Sequence, residues 1–217
     1  MTWLSNNWPQ VVDLTTQHLY VTVPAVLLSV FVAVPLGRLA HTRPRLGQPV
    51  LTAASLLYAV PSLPLLIIIP AVVAIPLRSP ATLVIALTLY GIAMLVRTAV
   101  DAFESVDRGV RDAAVAVGHT DRSLLWRVDL PLASPVLLAG VRVVTASTIG
   151  LVTIGALAGI PSLGTLFTDG FQRGIAGEVV TGLVVVVALA LVLDQLLVLL
   201  GWVLTPWSHA APTGAAA

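Results

Sequence analysis

The sequence contains neither cysteine nor lysine. Without cysteine there are no disulfides, no thiolate metal sites and no cysteine nucleophile. Without lysine there is no P-loop, whose lysine neutralises the β- and γ-phosphates of a nucleotide. Whatever this protein does with ATP, it is not expected to bind it in the usual way itself. Charge is scarce as well. Only 10% of the 217 residues are charged, against about 25% in a soluble domain. Hydrophobic residues make up 58% and the mean hydropathy is +1.00. A core of this size has no use for so much apolar surface, so the excess must face lipid. The formal net charge of +1 gives no long-range field for nucleic acid or an acidic substrate. All eleven basic residues are arginine, in keeping with a high-GC genome. A basic leader is missing too: the apolar run Leu19 to Leu36 follows a segment whose single formal charge is Asp13, so no cleavable signal is expected.

What remains is a set of long uncharged runs. A membrane helix needs about 20 apolar residues. Residues 14–37 supply a first span. Residues 46–77 form a longer stretch punctuated by Pro49, Pro61, Pro64, Pro70 and Pro76. It reads either as one long kinked span or as a span plus a short re-entrant piece, because proline breaks the backbone ladder where it falls. Residues 79–96, about 132–156 and about 178–202 supply three more. The fold class is all-α, a polytopic membrane protein with about five transmembrane helices, six if 46–77 divides. Residues 1–17 form an N-terminal segment, 18–205 the transmembrane domain, and 206–217 a tail that reads as disordered.

Arginine placement predicts the orientation. Arg38, Arg43 and Arg45 follow the first span, and Arg97, Arg108, Arg111, Arg122 and Arg127 follow the third. The alternate loops hold only Arg78 and Arg173. The N-terminus is therefore expected outside and the loop at about 104–131 inside the cell.

That loop carries most of the information. Val106, Val110, Ala113, Ala114 and Val117 recur at helical spacing with charges opposite. Asp107 is placed to cap the start, and Gly118 to supply a left-handed turn at the end. Thr120 or Asp121 can cap a second short helix, Ser123 to Asp129, which is expected to stop before Pro131. An interfacial helix pair lying on lipid headgroups would offer Trp, Phe or Leu among basic residues. The small alanines and valines here suit a protein groove better, which makes this loop a docking site.

Asp112-Ala113-Ala114, then Gly118, then Leu130-Pro131 resembles the EAA motif of ABC-importer permeases, with aspartate in place of the usual glutamate. The resemblance extends over about residues 15–200. Tyr58-Ala-Val-Pro61-Ser62-Leu63-Pro64, Leu89-Tyr90 through Val96-Arg97-Thr98, Thr148-Ile149-Gly150 and the Gly159–Gly164 segment look similar to permeases for glycine betaine, carnitine and choline. His18-Leu19 and Pro35-Leu36-Gly37 fit the first span of that family. In family members the Gly159–Gly164 segment is richer in glycine; here Ile160-Pro161-Ser162 intervenes.

The resemblance implies the type I ABC importer permease fold, multi-pass in a bacterial cytoplasmic membrane. It implies a second permease subunit, the same or homologous, and an extracytoplasmic binding protein that delivers a quaternary-ammonium osmoprotectant. It also implies cytoplasmic ATPase subunits that bind the ATP and Mg, leaving this chain with no cofactor and no enzymatic step of its own. Asp112, Ala113, Ala114, Gly118, Leu130 and Pro131 would then couple it to the ATPase.

Within the membrane, Arg97 sits where it can snorkel at the end of the third span. Arg142 lies eleven residues past Pro131, ~16 Å along a helix. Asp194 follows Glu178 by sixteen positions, so its depth depends on where its helix begins. Intramembrane ions pair or line a pathway, and a pair between Arg142 and Asp194 would brace the last two spans. Pro61, Ser62 and Tyr90 are the candidate pathway residues, because broken helices line cavities. The histidines (His18, His41, His119 and His209) have no ligand spacing, so no metal site is expected. Two alternatives stand beside the osmoprotectant reading: a permease of the same fold for methionine or another amino acid, and a secondary transporter. The latter needs ion-coupling carboxylates of its own, and Asp194 is the one clear intramembrane acid.

Overall fold

Apolar runs placed in lipid form helices because only a helix satisfies its backbone without water. In the computed structural model, which describes residues 2–209, every regular element among those residues is helical. In chain order these are α1 (Thr2–Asn6), α2 (Trp8–Thr42), α3 (Pro44–Ala59), α4 (Ser62–Val73), α5 (Pro80–Glu104), α6 (Arg108–Ala116), α7 (Asp121–Leu124), α8 (Leu130–Val152), α9 (Gly164–Gln172) and α10 (Ala176–Leu204). A π-helical turn, Leu125–Asp129, joins α7 to α8, and a 3-10 turn, Thr153–Ala158, follows α8.

Four stretches are long and apolar enough to cross a membrane: α2, α5, residues 121–158 and α10. The α3–α4 pair is the fifth. It bends by 108° at the break between Ala59 and Ser62, so residues 46–77 supply at most one span, broken in the middle. The twelve residues of α4 reach only ~18 Å, short of the ~30 Å hydrocarbon core, so no sixth span arises. Two boundaries differ from those expected. Residue 17 lies inside α2, which runs unbroken from Trp8, so the N-terminal segment merges into the first span. Pro206–His209 forms a short 3-10 turn, and the rest of the expected tail, residues 210–217, lies outside the described residues.

The helix after Gly118 does not stop before Pro131. It continues through the π-turn into α8. Proline removes one N–H and crowds the carbonyl four residues back. The wider π-turn, in which the Leu130 N–H reaches the Leu125 carbonyl, accommodates both effects just before Pro131. Proline is therefore not a stop here, because the turn before it widens enough to absorb the missing donor and the ring.

Helices α2, α5 and α8 form the centre, with α3 against α2 and α5, and α10 against α8 and α9. The packing relies on small residues. Ala33, Leu95, Val96 and Val144 form one buried cluster across the three central helices. Val21, Ala25, Leu83, Leu87 and Val152 form another, closed by Leu65, Leu66 and Ile69 of α4. In lipid the association of helices rests on close packing rather than on exclusion of water. At Gly37 a Cβ would lie 2.4 Å from the Ala99 Cβ and 3.1 Å from two backbone atoms of α5, so α2 and α5 touch backbone to backbone there. Overpacking of such a site costs about 1–3 kcal/mol. Gly37→Val is therefore expected to lower the melting temperature of the detergent-solubilised protein, read by thermal unfolding; an unchanged transition would contradict the close approach.

Candidate functional site

The loop between α5 and α8 is built as a small, capped projection. The Asp107 carboxylate accepts from the Val110 N–H at 3.1 Å, starting α6. At its other end Gly118 takes φ +93°. The Gly118 N–H reaches the Val115 carbonyl at 2.9 Å and the His119 N–H reaches the Ala114 carbonyl at 3.1 Å, the paired bonds of a Schellman cap. The Thr120 hydroxyl then accepts from Ser123 N–H at 3.4 Å and opens α7. No residue of α6 is buried. Asp112 and Ala113 are exposed, Ala114 is half-buried, and Val110, Val115 and Val117 present apolar surface outward. A nine-residue helix is marginal by itself, and here its caps hold it with its apolar side exposed.

One side chain on α6 points inward. The Arg111 guanidinium lies 3.2 Å from Asp129, whose other oxygen accepts from Arg38 of α2 at 2.8 Å. The Asp129 side chain is 5% exposed. Arg38 also lies over the Phe103 ring, 5.7 Å from its centroid, and Phe103 packs with Ala99, Ala133 and Leu137. One buried carboxylate in the π-turn therefore ties the projecting helix, the first long span and the start of α8. Leu130 is half-buried against the same cluster, and Pro131 is half-buried beside it. The sequence reading named the outer residues of this loop and missed Asp129, Arg38 and Arg111 as a group. Its one local signal was an acid set beside Leu130-Pro131; the partners are 91 and 18 positions away.

The candidate pathway residues separate on inspection. Pro61 cannot donate to the Leu57 carbonyl, and the Val60 N–H takes that acceptor instead at 3.3 Å. Pro64 cannot donate to the Val60 carbonyl, which accepts from the Tyr90 hydroxyl. Tyr90 is 6% exposed and belongs to the core cluster, so it latches the break rather than lining an opening. Pro61 is exposed and Ser62 half-buried at the turn. The tyrosine that faces outward is Tyr58, edge-on to Tyr90 with ring centroids 6.2 Å apart.

Arg142 and Asp194 come together as a two-point pair, Nε to Oδ1 at 2.6 Å and Nη2 to Oδ2 at 2.8 Å. The pair joins α8 to α10, which otherwise leans on the bundle through glycines: a Cβ at Gly201 would lie 2.2 Å from Leu138. Glu178, fully buried at the other end of α10, accepts from Arg173 at 2.5 Å. Arg97 is exposed on α5. His18 is fully buried in α2. Among the described residues no three His, Asp or Glu side chains gather as a metal would require.

A family model described as "Binding-protein-dependent transport system inner membrane component" matches residues 23–205. Among curated proteins, the chain is 35% identical over 213 residues to an osmoprotectant import permease protein of Salmonella typhimurium, covering 94% of this chain and 96% of that one. It is 29% identical over 207 residues to a glycine betaine/carnitine/choline transport system permease protein of Bacillus subtilis, covering 95% and 94%. Among solved structures, an inward-facing MetNI methionine ABC transporter superposes with a TM-score of 0.80 at 22% identity, covering 94% of this chain and 98% of that chain. An amino acid ABC transporter determined with histidines gives 0.69 at 16% identity. At these identities the solved structures show the fold, which is that of type I ABC importer permeases.

Two outcomes follow from the site. Asp129→Asn leaves two arginines without a counter-charge, and backbone amide exchange across residues 108–124 is expected to accelerate while that of α5 is unchanged; protection equal to the parent would show that the ion group does not hold the loop. In a thermal-stability cycle on Arg142→Ala, Asp194→Ala and the double variant, each single change is expected to destabilise and the double to lose less than their sum. Additive losses would dissolve the pair as an energetic unit.

Proposed function

The chain belongs to the family of binding-protein-dependent transport system inner membrane components, and from that premise we propose that it is the permease that carries a quaternary-ammonium osmoprotectant inward under the drive of a separate ATPase. The substrate class comes from the curated relatives, whose names specify osmoprotectant, glycine betaine, carnitine and choline. A methionine permease is the other reading, but the MetNI likeness at 22% identity speaks for the fold and not for the cargo.

The observation that carries the mechanism is the loop: an exposed, doubly capped α6 held to the bundle by Asp129. In this reading α6 seats its small-residue face, with Asp112 and Ala113, in a groove of the ATPase. ATP and Mg are bound there, since this chain has no lysine for a P-loop. Closure of an ATPase pair moves α6. The Arg111–Asp129–Arg38 group passes that displacement to α2 and α8 without slack, because a buried carboxylate held from two sides cannot part from either arginine cheaply. Two such permeases, rocking together, alternate the access of a path between them. The arginine-rich end, with α6, faces the cytoplasm and the N-terminus faces outward, where a binding protein delivers substrate.

Reconstitution with the ATPase and binding protein in proteoliposomes tests this. ATP-dependent uptake of radiolabelled glycine betaine or choline is expected, and uptake of methionine is not; the reverse pattern would reject the substrate. Uptake without the ATPase would point to a secondary transporter. Gly118→Val forces a β-branched residue to φ +93° and is expected to weaken ATPase association and abolish uptake, measured by co-purification and flux. Asp112→Glu is expected to retain both, while Asp112→Ala loses association if the charge is what docks.

A further inference from the structure

Between α3 and α5, below the break at Pro61, lies a groove of about 310 Å³, at the lower end of the ~300–1,000 Å³ that small-molecule sites occupy. Ala54, Ser55 and Tyr58 line it from α3, and Ala93, Met94 and Arg97 from α5. The α3 residues fall at helical spacing on one face, and the small side chains of Ala54, Ser55 and Ala93 hollow its middle. Its ends differ in chemistry. At one end is Tyr58, 56% exposed, its ring set edge-on to the buried Tyr90. At the other is Arg97, seven residues beyond Tyr90 and so ~10 Å along α5.

Arg97 is exposed in the groove and, among the described residues, makes no ion pair or hydrogen bond. At the end of the third span it has no carboxylate of this chain to neutralise it, whereas Arg142 on the neighbouring helix is paired. An uncompensated guanidinium asks for a carboxylate, which it holds best with two parallel N–H donors. An exposed tyrosine face asks for a desolvated cation, and a quaternary ammonium, which cannot donate a hydrogen bond, is the kind such faces recognise. One class of molecule carries both groups a few bonds apart.

We propose that this groove is a substrate site within the permease for zwitterionic betaines, the carboxylate on Arg97 and the trimethylammonium on Tyr58. The inference rests on the transport function above and narrows it. Choline offers the ammonium without the carboxylate, and Arg97 repels it. The groove therefore selects betaines over choline.

The test uses the whole complex, with its ATPase and binding protein, in proteoliposomes. Arg97→Gln is expected to reduce glycine betaine uptake about tenfold, the worth of a charge-assisted pair, and to leave choline uptake unchanged or raised. Tyr58→Leu is expected to reduce uptake of both, and Tyr58→Phe to restore it. Equal loss of both substrates in Arg97→Gln, as expected if the arginine only reaches for lipid headgroups, overturns the site. Because the chain has no cysteine, Ser55→Cys places a single thiol in the groove. Glycine betaine is expected to slow its labelling by a maleimide in the absence of ATP, and the Arg97→Gln background to remove that protection. Labelling indifferent to glycine betaine overturns the site on its own. A parent complex that takes up neither glycine betaine nor choline rejects the transport reading, and the site with it, before any variant is compared.

Discussion

In hydrocarbon a backbone carbonyl without a donor has no water to turn to, and each proline in a span creates one such carbonyl. This chain has fifteen prolines, and two of its departures from straight α-helix occur where that debt is settled. At Pro61 and Pro64 the ladder opens, the Val60 N–H turns back to Leu57, and the Tyr90 hydroxyl from α5 takes the Val60 carbonyl. The break is thereby fixed in place by a neighbouring helix, and α4 leaves it at 108°. Ahead of Pro131 the same constraint has another solution. The π-turn widens the ladder, and the helix carries on from the projecting loop into the bundle.

The second solution has a mechanical consequence. A helix that ended before Pro131 would leave the loop on a flexible joint. Instead α7, the π-turn and α8 form one continuous rod, and Asp129, one residue from its π-to-α junction, holds Arg38 and Arg111. The projection is thus tied to two central helices, one through the backbone and one through charge. Burial makes the charge effective, because the carboxylate has no competing water. The same arrangement makes it costly to break, since the Asp129 carboxylate left behind would be a buried, unpaired charge.

Elsewhere the fold is held lightly. Helix α10 buries only Glu178, Gly182 and Gly201 and exposes valines and leucines on nearly every side. Such a surface fits lipid or a partner subunit, not water. Its attachments are Arg142–Asp194, Arg173–Glu178 and two glycines that let it lie close to α8 and α9. A peripheral helix fixed at a few points can shift as a body while the α2–α5–α8 centre keeps its packing, which suits a protein whose work is a change of access.

The chain's own order of residues determined the membrane class, the five spans and the caps of the projecting loop. Hydropathy, arginine placement, Asp107, Thr120 and Gly118 act over a few neighbouring positions, and local physics is legible locally. It also excluded a P-loop, because no fold restores a missing lysine. Only the tertiary structure decided that Tyr90 is a latch and Tyr58 the exposed ring, since two tyrosines near one break look alike until a neighbouring helix buries one. The sequence suggested the partnership of Arg142 with Asp194, but its two-point geometry depends on how α8 and α10 face each other. Asp129 was invisible as an anchor, because its partners sit on other helices. The continuity past Pro131 was misread for a related reason: whether proline ends a helix depends on what the preceding turn can absorb, and that is settled by packing.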